Sequence, residues 1–523
     1  MMQKYYNLSA KIGIDYCYHS AAEVLAHMDR LGVYTTVMEY GNGSNSLHLN
    51  RMLLQQIQDL PRDRVIPGYF LDVGVVFQLG ALEKIRQMML DRPGCIVLEP
   101  KDRKFRLRAI DQVLDQVQDV STVVLMNAVQ FKENGGADDL EYLAKRYPKL
   151  SFVIRRVMYS SMPFALDCLR RAENVYLDTS WLHTRNALGM LSRHFGADRL
   201  IFSLGPKSNH GAPMAALTFA PLSEEEKDKI RFGNFQRIFG KELTQPMTNQ
   251  VQNSFWTPFV EEGIVPDVPI YDIHTHMGPT GSDWYLENCE FDTQIQAFEE
   301  EMERFHIRKI VSSCSGRPDL LPANEDLAAA VGEKTDRFKG YVRYSPHYGE
   351  KYTEEYMAKQ FAGDYFVGLK TLPQYMQLDI RDEKYYPLFR YAHRHKLPVL
   401  LHCWGGGFGA PRKCAEAAAK WPDAKVILGH SGGNTAGKKE SLEIANDPAY
   451  SNVYFEFCGS FPADFGWKEM LEVIDYKRVL FGTDACLHDI GWEMGRLLSE
   501  DIPDEQLIAI LGGNAQRLFG FVD

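Results

Sequence analysis

The segments "PVLLHC" (398–403), "KVILGH" (425–430) and "VLFGTD" (479–484) follow one pattern: a short apolar run that turns polar at its end. Working outward, similar runs end near His274 (YDIHTH), Val311 (IRKIVSS), Val342 (KGYVRYS), Lys370 (FVGLK) and Glu456 (NVYFEF). From His274 to Asp484 the eight ends are separated by 37, 31, 28, 32, 28, 26 and 28 residues, with helical stretches between them. A (β/α)8 barrel of ~250 residues repeats about every 31 residues. The spacing therefore predicts an α/β fold with an eight-stranded barrel in the second half. An open doubly wound sheet is the competing reading, but it rarely contains eight such even units.

In a barrel the C-terminal strand ends open on one face, where chemistry is done. His274 and His276 lie two apart, so on a strand they point the same way. Two imidazoles alone are readily explained as hydrogen-bonded strand-end residues. Lys370, His402, His430 and Asp484 end four further strands. Polar groups from five of eight strands on one ring point to a metal site, because imidazole and carboxylate are the ordinary ligands of a divalent ion.

The motifs "DIHTH", "GLK", "LPVLLHC", "ILGH", "FGTDA" and "ILGGNAQRLFG" occur in that order over residues 269–523. In this set the sequence resembles the amidohydrolase superfamily, in the branch that holds both metal-dependent hydrolases and decarboxylases. The resemblance implies that His274, His276, His402 and Asp484 hold the metal and that His430 polarises the substrate. It also implies one metal per chain, with Lys370 an ammonium near the pocket; in other members a lysine at this place is carboxylated and bridges two metals. Three imidazoles and a carboxylate suit Zn2+ first and Mn2+ second.

The chain has 523 residues, too many for one ordinary core. The first half echoes the second: "NVYLDTS" (174–180) matches "NVYFEFC", "DRLIFSLG" (198–205) matches "KRVLFGTD", and "GNFQRIFG" (233–240) matches "GNAQRLFG". "IDYCYH" (14–19) is set against "YDIHTH" (271–276). The expectation is two tandem (β/α)8 barrels, 1–245 and 246–523. In this alignment Cys17, His19, Arg156 and Gly205 stand for His274, His276, His430 and Asp484. Lys370 falls near Glu99, and His402 near Met126 or Asn127. The first barrel is thus expected to be a scaffold without the metal. The competing site, Cys17, His19, Glu99 and His210, lacks a comparable ring.

The composition is globular, and the formal net charge of −11 argues against nucleic-acid or anionic-membrane partners. No apolar stretch reaches the ~20 residues of a membrane span. Nine dispersed cysteines, with no C-x-x-C pair, suggest a reducing cytoplasm. A homo-oligomer is compatible with all of this. The expected activity is metal-assisted hydrolysis of an amide, lactone or ester in a small carboxylate-bearing molecule, with Asp484 and His430 catalytic. The alternative is non-oxidative decarboxylation of an aromatic or unsaturated acid. A third reading is a binding protein pinned by its metal. Arg343, Lys370, His347 and His488 are candidate substrate contacts; Arg343 suits a carboxylate.

Overall fold

The computed structural model describes all residues except 1–3, 14–17, 42, 44, 134, 210, 241, 243–244, 279–290, 315–318, 460–464 and 523. Two compact units divide at Val251/Gln252. Residues just before that point belong to the first unit; the Gln250 N–H donates to the Arg30 carbonyl at 2.7 Å.

The first unit has strands Tyr5–Ile12 (β1), Val33–Tyr40 (β2), Val65–Phe70 (β3), Cys95–Leu98 (β4), Val123–Asn127 (β5), Ser151–Arg155 (β6), Val175–Asp178 (β7) and Leu200–Ile201 (β8). The second has Ile270–Met277 (β9), Ile307–Cys314 (β10), Phe338–Arg343 (β11), Phe366–Thr371 (β12), Pro398–Trp404 (β13), Lys425–Gly432 (β14), Val453–Glu456 (β15) and Val479–Leu480 (β16). Each set forms one parallel sheet in sequential order, with helices between strands. These are two nearly closed (β/α)8 barrels. The second closes through backbone bonds from Ile273 to Phe481 (3.1 Å), from Asp484 to His274 (2.7 Å) and from His276 to Ala485 (2.5 Å).

The helices follow from pattern and caps. The helix Ala21–Leu31 starts where the Ser20 side chain accepts the Glu23 N–H, and ends at left-handed Gly32. Its buried residues, Ala21, Val24, Met28 and Leu31, recur at helical spacing and face the sheet. Inside the barrels, apolar side chains fill the centre: Leu8, Val97, Leu125 and Val153 in the first, Ile273, Tyr341, Leu400 and Ile427 in the second.

The two barrels repeat the same polar clasps. The Asn174 amide donates to the carbonyls of Ala144, Tyr147 and Leu150, as Asn452 does to Ala418, Trp421 and Ala424. Arg199 gathers the carbonyls of Leu169, Ala172 and Val175, and Arg478 those of Ala445, Tyr450 and Val453. Asn234 holds Ala197 and Leu200; Asn514 holds Tyr476 and Val479. Each clasp satisfies carbonyls at element ends that would otherwise be buried unpaired. Left-handed backbone recurs too, at Arg156 (φ 55°) and His430 (66°), and at Gly205 (76°) and Asp484 (58°). The repetition fits a tandem duplication.

One pairing made from the sequence is corrected. The first strand of the first barrel is "YYNLSAKI" (5–12), not "IDYCYH". The Asn7 Oδ1 accepts the N–H groups of Ser9 and Leu204; the Asp272 Oδ1 accepts those of His274 and Thr483. This clasp aligns Ser9 with His274 and Lys11 with His276. "IDYCYH" shares letters with "YDIHTH" but follows β1; His19 is exposed, and Cys17 and His210 lie outside the described residues.

Candidate metal centre

Strand β9 carries His274 and His276 on one face, both buried. Beneath them Asp272 ties β9 to the segment after β16, receiving the Thr483 N–H and hydroxyl; burial raises its pKa to about 8. The Nδ1 of His274 lies 2.9 Å from the Glu456 Oε2, at the end of β15. That bond places the ring proton on Nδ1 and leaves Nε2 as a lone pair. The Nδ1 of His276 meets the Ser313 hydroxyl at 3.2 Å.

Asp484 completes the group. Its left-handed backbone is held by its N–H bond to His274, and its Oδ1 lies 2.9 Å from the His276 Nε2 and 3.7 Å from the His274 Nε2. One ligand atom from each of His274, His276 and Asp484 falls within 4.8 Å of the others. The His274 Nε2 and a carboxylate oxygen are both acceptors, so their approach favours a cation between them. Lys370 supplies one: its Nζ lies 2.7 Å from the His274 Nε2 and 3.1 Å from the His276 Nε2. Burial, reinforced by the Lys370 charge, lowers the pKa of His274 to about 4 and of His276 to about 3. Both are therefore neutral and able to bind a metal near pH 7. Burial lowers Lys370 to about 7. The donor set fits a divalent ion.

His430 stands behind this group. Its Nδ1 donates to the Cys458 carbonyl (2.8 Å), which leaves Nε2 for other bonds, and its N–H donates to Glu456 at 3.1 Å. His402 is half-buried, with its ring 4.9 Å from that of His430; it lies outside the three-atom group. His488 is buried, its Nδ1 3.8 Å from the Asp484 Oδ2 and 3.6 Å from the Glu493 Oε1. Arg343 is half-buried beside Lys370 in register and donates to the Cys314 carbonyl at 2.6 Å; its buried Nε has no partner among the described residues.

Two residues sit differently from expectation. Lys370 points into the ligand group rather than toward a substrate anion. His347 is exposed, with its Nε2 2.8 Å from the Met376 carbonyl, and does not approach the centre. The sequence reading gave no role to Glu456, Asp272 or Glu493. Glu456 and Asp272 carried a signal, an acid within or ending a strand, but their partners sit on other strands.

Residues 272–521 match the family model described as amidohydrolase. The second unit belongs to the amidohydrolase family. No curated protein matches the chain. Similar solved structures include a 5-carboxyvanillate decarboxylase from Sphingomonas paucimobilis, at 13% identity and TM-score 0.35, covering 49% of this chain and 100% of that one. A probable 2-pyrone-4,6-dicarboxylic acid hydrolase from Acinetobacter baumannii has 15% identity and TM-score 0.36, covering 48% and 99%. A 2,6-dihydroxybenzoate decarboxylase from Rhizobium has 16% identity and TM-score 0.38, with the same coverage. Among the described residues, the amidohydrolase unit holds every group of three or more converging His, Cys, Asp or Glu ligand atoms. No described helix is long and apolar enough to cross a membrane.

Proposed function

We propose that the amidohydrolase unit is a metal-dependent hydrolase that cleaves an amide, lactone or ester bond in a small molecule bearing a carboxylate. The observation that carries this reading is the convergence of His274, His276 and Asp484 at the C-terminal ends of their strands. These residues would hold one divalent ion, Zn2+ or Mn2+, with His402 as a further ligand. A bound ion supplies Lewis-acid activation of water and of a carbonyl group.

The chain's own groups supply the rest. Asp484 accepts the proton of the attacking water, and its second oxygen faces His488 for onward transfer. His430 is fixed by Cys458 through its Nδ1; with a proton on Nε2 it donates to the developing oxygen anion. The Arg343 guanidinium has no carboxylate within 4 Å among the described residues, and holds the substrate's carboxylate. Decarboxylation is the second reading. It is favoured by the aromatic wall beside the centre, where Trp404 stacks parallel to His402 and Tyr375, 69% exposed, meets it edge-on. Such a wall suits a planar acid.

The test is a panel of lactones, amides, esters and aromatic acids assayed with protein purified without chelator, then stripped and reloaded with Zn2+ or Mn2+. About one tightly held ion per chain is expected, with hydrolysis that disappears and returns with it. Full activity in metal-free protein would end the proposal. Release of CO2 without hydrolysis would select the second reading.

A further inference from the structure

The first barrel carries a cavity of about 390 Å3 on its C-terminal face, between the loops that follow β4 and β5. That face is where barrels bind ligands, and the volume lies within the usual range of about 300–1,000 Å3 for small-molecule pockets. Phe105, Leu107, Val129 and Phe131 line it with apolar surface. Lys101, Lys104 and Arg106 also line it.

The walls are preformed. Gln130 accepts the Asp102 N–H and donates back to the Asp102 carboxylate (2.8 Å), while its carbonyl accepts the Lys101 N–H (3.1 Å). Phe131 is braced edge-on by Phe164, with centroids 5.0 Å apart. Gly136 lets the backbone close up: a Cβ there would lie 1.6 Å from the Phe131 carbonyl oxygen. A cavity held open by such bracing costs little ordering entropy to fill.

The charges select the ligand. Arg106 is bound by Asp139 through both carboxylate oxygens. Lys101 faces Glu133 at 3.8 Å. Lys104 has no carboxylate within 4 Å among the described residues. Its left-handed backbone (φ 56°) is an uncommon state for a lysine, held by a turn in which its N–H bonds the Lys101 carbonyl. The cavity thus has an apolar floor, one uncommitted cation and two nearby acids. The acids disfavour a dianion such as phosphate. We propose that it binds a small amphiphilic organic carboxylate, with the apolar body on Phe105, Val129 and Phe131 and the carboxylate at Lys104. This assigns the first barrel a ligand of its own, independent of the metal centre.

Hydrogen exchange of the full chain with 2-naphthoate as probe locates the binding. Peptides covering 99–107 and 128–136 should exchange more slowly as naphthoate is added, and 2-naphthol should protect them at least tenfold less effectively. Val129→Trp, at a position 42% exposed and so tolerant of bulk, should fill the cavity and abolish the protection. Lys104→Glu should weaken it at least tenfold. Exchange elsewhere in the first barrel reports that both variants are folded. Protection confined to second-unit peptides, or protection unchanged in folded Val129→Trp, would overturn the proposal.

Discussion

Replacing Glu456 with Gln probes how the metal ligands are held. The Glu456 Oε2 meets the His274 Nδ1 (2.9 Å) and the His430 N–H (3.1 Å), and its Oε1 accepts the Cys458 N–H. Both oxygens act as acceptors in a fully buried site. Gln has one acceptor oxygen and one donor NH2, so one orientation or the other must face donor against donor. A hydrogen bond to a charged group contributes about 1.5–3 kcal/mol. Lost support behind a ligating histidine typically costs about 10–100-fold in metal affinity. The two ranges agree, since tenfold is about 1.4 kcal/mol.

The first barrel supplies the control. Asp178, at the end of β7, accepts the N–H of Arg156 at 3.0 Å, as Glu456 accepts that of His430. The backbone part of the interaction is therefore common to both barrels, and the imidazole part is confined to the metal centre. Competition with a chromophoric chelator should show Glu456→Gln binding Zn2+ about 10–100-fold more weakly, with Asp178→Asn unchanged. A folded Glu456→Gln that held Zn2+ as tightly as the parent would refute the reasoning.

Asp484→Asn should lower turnover by about 10²–10⁴-fold, and His430→Ala should lower turnover while most of the metal remains, measured by kinetics alongside elemental analysis. Complete metal loss in His430→Ala would make His430 a ligand. In metal-free protein, His274 and His276 bind protons in the unfolded chain near pH 6.5 but in the fold only near about 4 and 3, so stability is lost as pH falls through that window. This is roughly 3 kcal/mol for each histidine and about 6 for the pair, read as the loss of stability between pH 7 and 4 relative to a His274→Asn, His276→Asn variant; parallel curves would contradict it. That same variant should strip the full chain of stoichiometric metal, and a retained equivalent would place a site in the first barrel.

The second barrel was legible in sequence because its strands are short, mostly apolar runs ending near a polar residue, at an even spacing. His274, His276 and Asp484 could be read for the same reason. The role of Glu456 could not, because it depends on β15 lying two strands from β9 around a closed ring. In the first barrel, the echoes near Asn174, Arg199 and Asn234 were legible because the clasps need those residue types. Its first strand was misread: "YNLSAK" keeps the backbone role of "YDIHTH" while changing both ligand positions. The interior of that barrel was also hidden. Arg155 on β6 meets Glu39 on β2 at 2.7 Å, a pair 116 residues apart in sequence and both 2% exposed.

That pair occupies the place in the first barrel where the second has its ligand group. His402 lies beside Gly429 in register, and Asn127 beside Arg155, so Arg155 takes the place of Gly429. Ser9 takes the place of His274, and its hydroxyl is 2.9 Å from the Arg155 guanidinium. The exchange is reciprocal: an imidazole beside glycine in one barrel, a serine beside arginine in the other. The glycine makes room: a Cβ at 429 would lie a tight 3.0 Å from the His274 Cε1 and 3.0 Å from the Leu401 carbonyl oxygen. Gly429→Ala should therefore push His274 off its position. Overpacking of this kind costs about 1–3 kcal/mol, which at about 1.4 kcal/mol per tenfold corresponds to Zn2+ binding weakened by roughly 5–150-fold. Chelator competition measures it, and Gly429→Ala with parental affinity would show that the glycine does not make room for the ligand. A guanidinium fixed by Glu39 and Ser9 places a fixed positive charge inside the first barrel, where the second barrel gathers imidazoles and a carboxylate around the Lys370 ammonium.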